Sequence, residues 1–135
     1  MAVTPNSIIT PQTPKAAAVV TTTANTTYTS SPTNTVALLT AGANGARLTR
    51  LRSMPRATAN TAVQLYLSTD GGATKLLVDS VLVNVTVSTT SRITPADWGY
   101  SDDTPLILPA GAVLYVAQSV TVADGITTVA EWADY

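Results

Sequence analysis

The segment TAVQLYLST, residues 61–69, followed by DGGA and then by TKLLVDSVLVNVTVST, constrains the fold of this chain more than any other feature. Val63, Leu65 and Leu67 alternate with Gln64, Tyr66 and Ser68, a period of two that suits a strand and not a helix. Asp70, Gly71, Gly72 and Ala73 interrupt the pattern, and glycines there supply the positive φ angles of a hairpin turn. A calcium loop at Asp70 would need several carboxylates at alternating positions, and one is present. The return strand, Thr74 to Thr90, is long enough to bend or to serve two sheets. Leu77, Asp79, Val81, Val83, Val85 and Val87 share one parity, and Leu76, Val78, Ser80, Leu82, Asn84 and Thr86 the other. Asp79 breaks the first, which predicts that part of that face meets solvent.

The rest of the chain repeats this grammar. AAAVVTTTANTTYT (16–29) predicts a strand broken near Asn25, and TVALLTA (35–41) a short buried strand ended by GANG. The C-terminal third gives a strand at PLIL, a Pro-Ala-Gly turn, a strong strand from Ala112 to Val120, a turn at Asp124-Gly125 and a last strand ending near Trp132. Threonine and valine abound while phenylalanine is absent, a β-branched bias that suits pleated, half-buried surfaces. Tyr66, Tyr115, Trp98 and Trp132 are the few bulky pieces of a core of Leu, Val, Ile and Ala. The expected fold is all-β, a jelly-roll-like or Greek-key β-sandwich of about eight strands. It forms a single domain over residues 16–135, preceded by an extended N-terminal arm, residues 1–15. Pro5, Pro11 and Pro14 keep that arm out of helices and central strands. The arm is either a disordered tail or ordered only against a neighbouring subunit, and Ile8 and Ile9, an apolar pair that a free tail would expose, favour the second.

A chain of 135 residues can bury roughly 65–70% of its unfolded surface, enough for a core without staples. It has no cysteine and no histidine, so disulfides, thiolate or imidazole metal sites and the usual general base are unavailable. A serine nucleophile would have to use Lys15 or Lys75, and Lys75 follows the hairpin turn into solvent. Glu131 with Asp134, or Asp102 with Asp103, are the conceivable carboxylate pairs, but adjacent loop residues point apart. No enzymatic activity, cofactor or metal is expected. Asn25 and Asn84 match the glycosylation pattern by chance in a chain rich in Asn and Thr. The N-terminus shows no secretion signal, and the apolar runs fall far short of the roughly 20 residues that span a bilayer. Synthesis in a cytoplasm without membrane association is the expectation.

ARLTRLRSMPRAT, residues 46–58, holds four of the seven basic residues. As a regular strand it would place Arg50, Arg52 and Arg56 on one face with Leu48 and Met54, and Arg47 on the other with Leu51. With a net charge of −1 and no basic reinforcement elsewhere, about three phosphate contacts would bind nucleic acid weakly, so no nucleic-acid partner is expected. Pairing with Asp79, Asp97, Asp102 or Asp103, within the fold or across a subunit contact, is the better use of arginine's fork. Pro55 argues for a bulged or edge strand. The loop SRITPADWGYSDDTP carries Trp98 and Tyr100, whose rings either close one end of the sandwich or present a contact or sugar-stacking surface.

PNSIITPQTPKAA at the start, TAGANGARLTRLRSMPRAT with QLYLSTDGGATK in the middle, and GYSDDTPLILPAGAVLYVA near the end make the whole chain resemble small virion structural proteins of tailed bacteriophages, of the capsid decoration or cement type. These motifs are turns and strand edges, so no catalytic or binding residues carry over. The resemblance implies a jelly-roll-like subunit on the capsid surface, partnered by the major capsid protein and by copies of itself, with a homotrimer favoured. Ile8, Ile9, Arg50, Arg52, Arg56, Trp98 and Tyr100 are then the candidate interface residues. The alternative is a tail or fibre component that binds a receptor or carbohydrate through the Trp98 and Tyr100 loop.

Overall fold

The computed structural model describes residues 10–54, 60–84 and 93–135. Nine strands follow in chain order: β1 (Thr13–Thr21), β2 (Val36–Thr40), β3 (Ala46–Met54), β4 (Thr61–Ser68), β5 (Leu76–Val83), β6 (Ala96–Asp97), β7 (Leu106–Leu108), β8 (Val113–Gln118) and β9 (Ile126–Asp134). No helix accompanies them among the described residues. One sheet has the order β1-β9-β3-β6, with β7 also on β3, and the other the order β2-β8-β4-β5. The chain is therefore the all-β sandwich that its alternation predicts.

The pairing is nested. β1 pairs with β9, β2 with β8, β3 with β6 and β7, and β4 with β5, all antiparallel. The chain behaves as one long hairpin folded across two layers, its ends meeting in β1 and β9. Two short pieces, β6 and β7, share the edge of β3 where the sequence suggests one strand, which accounts for nine strands against the expected eight or so.

Between the sheets lie Leu48, Leu51, Val63, Leu65, Leu114, Val116, Ile126, Ala130 and Trp132, all buried. β9 shows the cleanest pattern, with Ile126, Thr128, Ala130, Trp132 and Asp134 inward and the intervening residues half-buried. One end of the interior is polar: the Thr21 hydroxyl donates to Gln118 Oε1 at 2.6 Å, and Gln118 Nε2 donates to the carbonyls of Thr22 and Val120. This closes the open end with satisfied groups, which burial requires.

Four expectations shift. β1 begins at Thr13, so the last residues assigned to the arm already pair with β9, and Pro14 is accommodated because β1 is an edge strand. β1 stops at Thr21, short of the expected break near Asn25. The polar face of β4 is buried as well: Gln64, Tyr66 and Ser68 are almost inaccessible. Residues 22–35 fold back over them, with Asn25 donating to Gln64 Oε1 at 3.0 Å and to the Tyr66 hydroxyl at 2.8 Å. Finally β5 ends at Val83; the remainder of the expected long strand, residues 85–90, lies outside the described residues.

The β4–β5 connection is a turn, as its glycines imply. Gly71 and Gly72 have φ of 74° and 95°, and Asp70 Oδ1 accepts from the Ser68 hydroxyl and from Thr74 N, each at 2.9 Å. Those hydrogen bonds hold the Asp70 carboxyl below its ordinary pKa.

Candidate interaction surfaces

β3 is bulged but not an edge. It runs beside β9 on one side and β7 and β6 on the other, and its register with β9 slips between Leu48 and Arg50. The extra residue, Thr49, changes the side-chain phase. Ala46 and Leu48 before it, and Leu51 and Ser53 after it, all point inward and are buried. Arg47, Arg50 and Arg52 consequently share the outer face, correcting the expectation that Arg47 opposes the other two and that Leu48 accompanies them.

The outer face of this sheet places the arginines beside small residues. Across β9 and β1 the same face carries Val129, Glu131, Ala133, Ala16, Ala18 and Val20, exposed or half-buried. Arg50 meets Glu131 at 3.8 Å, and Arg52 stands opposite Asp97 in the β3–β6 register. Arg47 donates to the Asp102 carbonyl. Among the described residues the one arginine ion pair is with Glu131, which the sequence did not single out as an arginine partner; Arg47 meets the Asp102 backbone carbonyl rather than its carboxylate, and Asp79 accepts from Tyr100 instead. Arg50 and Tyr100 also line one shallow hollow of about 320 Å³, with Asp97 and Glu131. A larger open cleft of about 590 Å³ runs along Pro14, Lys15, Arg47, Glu131 and Ala133.

Trp98 and Tyr100 close the sandwich where β6 meets β5. Trp98 N donates to the Leu51 carbonyl, and its indole N–H to Ser53 Oγ, both at 3.0 Å; Ser53 Oγ contacts Thr128 Oγ1 at the same distance. The Tyr100 hydroxyl donates to Asp79 Oδ2 at 2.7 Å. Both rings are half-buried and pack on the core, which is the closing geometry. Burial and then the Asp79 carboxylate push the Tyr100 hydroxyl far above its ordinary pKa, so it stays a donor. Asp79 therefore points into the seam between the sheets, sealed by Tyr100. Ile8, Ile9 and Arg56 lie outside the described residues.

The candidate carboxylate pairs do not assemble. Glu131 faces outward to Arg50, whereas Asp134 faces inward, held by Lys15 Nζ at 2.6 Å and Gly42 N at 3.1 Å. Asp102 and Asp103 are exposed in a loop. Lys75 is engaged too, its Nζ donating to Thr35 Oγ1 at 3.1 Å and sitting 4.5 Å from the centre of the Tyr115 ring. Among the described residues no three His, Cys, Asp or Glu side chains gather as metal ligands, and no helix is long and apolar enough to cross a membrane.

One surface escaped the sequence reading. β5 is the last strand of its sheet among the described residues, and Leu76, Leu77, Val78 and Leu82 are 58%, 48%, 43% and 59% exposed. The register of β5 with β4 slips at Val78. Leu77 and Leu82 lie on the outer face, opposite Tyr66 and Ala62, and Leu76 on the inner one, opposite Leu67. Apolar residues on both parities of LLVDSVLV were the available signal, since a strand apolar on both faces is either central or an exposed, adhesive edge.

The described residues form a two-layer antiparallel β-sandwich with an outer face that bears Arg47, Arg50 and Arg52 and an apolar last strand, β5. Comparison with known protein families, curated proteins and solved structures finds no match for the chain.

Proposed function

We propose that this chain is a non-enzymatic structural protein of a virion, decorating and stabilising the outside of a phage capsid. The observation that carries the reading is the outer face of the β1-β9-β3 sheet. There the bulge at Thr49 gathers the half-buried Arg47 and Arg52 and the exposed Arg50 on one outer face, beside the small residues of β1 and β9 and along an open cleft. Such a surface suits repeated docking on a lattice, where many weak contacts add by multivalency. Arginines set among carboxylates offer forked pairing to a protein surface more readily than neutralisation of phosphates.

The nested strand order supports a jelly-roll-like subunit, an architecture that recurs in viral capsid and lectin domains. Fold alone does not assign function, so the weight rests on the face. The tail-receptor alternative needs a free aromatic platform, and both Trp98 and Tyr100 have their rings packed and their polar tips engaged. The major capsid protein is the proposed partner on that face, and further copies of the chain are partners elsewhere.

The test is co-sedimentation with empty capsids of the phage that encodes the chain. Full-length protein should pellet with them, and the paired variant Arg50→Ala, Arg52→Ala should bind at least tenfold more weakly. DNA binding at physiological salt should be negligible in both. Absence of capsid binding, or robust DNA binding, would overturn the reading.

A further inference from the structure

We propose that residues 22–35 form a strap that opens as one unit while both sheets stay paired, with Asn25 as its catch and Asn34 as its hinge, uncovering the polar outer face of β4 and β8. The inference is independent of the virion reading.

Residues 24–34 make a compact loop closed by its own side chains, in the manner of an Ω-loop. Asn34 Nδ2 donates to the Ala24 carbonyl at 2.8 Å and Thr26 N to Thr33 Oγ1 at 2.9 Å, while Asn25 Oδ1 accepts from both Thr27 N and Thr33 N. The two legs of the loop are stitched together, so a movement of one carries the other. Its ends are fixed, because Thr21 pairs with Ile126 in β9 and Val36 with Val116 in β8. The strap can therefore swing without unpairing a strand.

Between those ends its hold on the sandwich is thin and polar. Asn25 N donates to the Gln118 carbonyl at 2.7 Å and Ala24 N to Thr121 Oγ1 at 3.0 Å. Beyond them the loop is held by the Asn25 amide on Gln64 and Tyr66, and by the Ser30 carbonyl, which accepts from Lys75 N at 2.9 Å. Within residues 24–34 only Asn25 and Pro32 are buried, Tyr28 is 62% exposed, and none joins the core between the sheets. Segments with so few buried apolar contacts open at a free energy below that of the whole domain.

The face beneath suits a cover that lifts. Gln64 and Tyr66 stand opposite Ala117 and Tyr115 in the β4–β8 register, and their amide and hydroxyl can bond to water once the loop is raised, which an apolar face could not do. Asn34 supplies the pivot. Its φ of 56° is the one positive value at a non-glycine residue among the described residues. Asparagine tolerates that left-handed region better than most side chains, and backbone of this kind concentrates where segments switch.

The test is hydrogen exchange of the full-length chain, followed amide by amide by NMR in urea too dilute to unfold it. The amides of Thr26 and Thr33, and the Lys75 amide that meets Ser30, should share one protection factor, at least about a hundredfold below that of the amides paired between β4 and β8. Their rates should stay nearly flat in urea, because opening the strap exposes little surface. Asn25→Ala removes the catch, and the Lys75 amide should then exchange about a hundredfold faster. Strap amides with the steep urea dependence of the β4–β8 pairs would mean opening only with the whole domain, and unrelated protection at Thr26, Thr33 and Lys75 would mean piecemeal fraying. Either result, or an unchanged Lys75 rate in Asn25→Ala, would overturn the proposal.

Discussion

Replacing Asn25 with alanine should destabilise the sandwich far more than its place in an irregular segment suggests. Its side chain uses every hydrogen-bonding position it has. Nδ2 donates to Gln64 Oε1 and to the Tyr66 hydroxyl, while Oδ1 accepts from Thr27 N at 3.1 Å, Thr33 N at 2.9 Å and Thr33 Oγ1 at 3.2 Å. Gln64 and Tyr66 are buried, so they lose a partner that water reaches poorly, at about 1–3 kcal/mol. The bonds to residues 27 and 33 are nearer solvent and are worth about 0.5–1 kcal/mol each. The Tyr66 hydroxyl, 3.4 Å from Gln64 Oε1, recovers part of the loss. The expected total is about 3 kcal/mol, a large share of the roughly 7–20 kcal/mol that a domain of this size holds. It should appear as a melting point lower by roughly 10 °C.

The assay is urea unfolding followed by circular dichroism, read at constant slope so that a change in midpoint is a change in stability. Asn25→Asp keeps the acceptors but sets a carboxylate against the Gln64 oxygen. It should be at least as damaging at neutral pH and partly recover in acid, when the introduced carboxyl can donate. A loss below about 1 kcal/mol for Asn25→Ala would refute the claim that this residue pins residues 22–35 over β4.

Three further outcomes follow from the same geometry. Gly45 has φ of 90°, and a Cβ there would lie 2.5 Å from the Leu108 carbonyl oxygen; Gly45→Ala should cost about 3 kcal/mol or more, against about 1 kcal/mol for Gly71→Ala, which has open space. Equal losses in thermal melts would contradict this. Burial pushes the Asp134 carboxyl up, but Lys15 and Gly42 N outweigh it and hold it below its ordinary pKa. Its contribution is therefore complete above the unfolded value near about 4 and lost as pH falls through the lower folded value. Asp134→Asn should lower the urea midpoint at pH 7 and flatten the decline in acid; an unchanged acid limb counts against the pairing. Trp98→Phe should lose about 1–2 kcal/mol through the Ser53 hydrogen bond, and Trp98→Ala more, with denaturation curves as the check.

The strands were legible wherever alternation was clean, as at residues 61–68 and 126–134, because burial of one face imposes a period of two. The phase of β3 was not. A bulge inserts a residue without any residue type that announces it, so Thr49 reversed the facing of Arg47 relative to Arg50 and Arg52. The second burial of β4 was hidden for a different reason: Gln64 and Tyr66 look like solvent-facing polar residues until Asn25, some forty positions away, is known to cover them. β5 carried its signal openly, but whether a doubly apolar strand is central or at an edge depends on strand order, which local pattern does not encode. Trp98 was read in both of its roles, and its contacts with Ser53 and Leu51 are those of the closing one.

The central claim, that this sandwich coats a shell, is tested most directly by counting its copies in purified particles of the encoding phage by quantitative mass spectrometry. A decoration protein should be present at hundreds of copies per particle, in fixed ratio to the major capsid protein, and be released by treatments that leave the tail in place. A handful of copies co-purifying with tails, or none at all, would contradict the account.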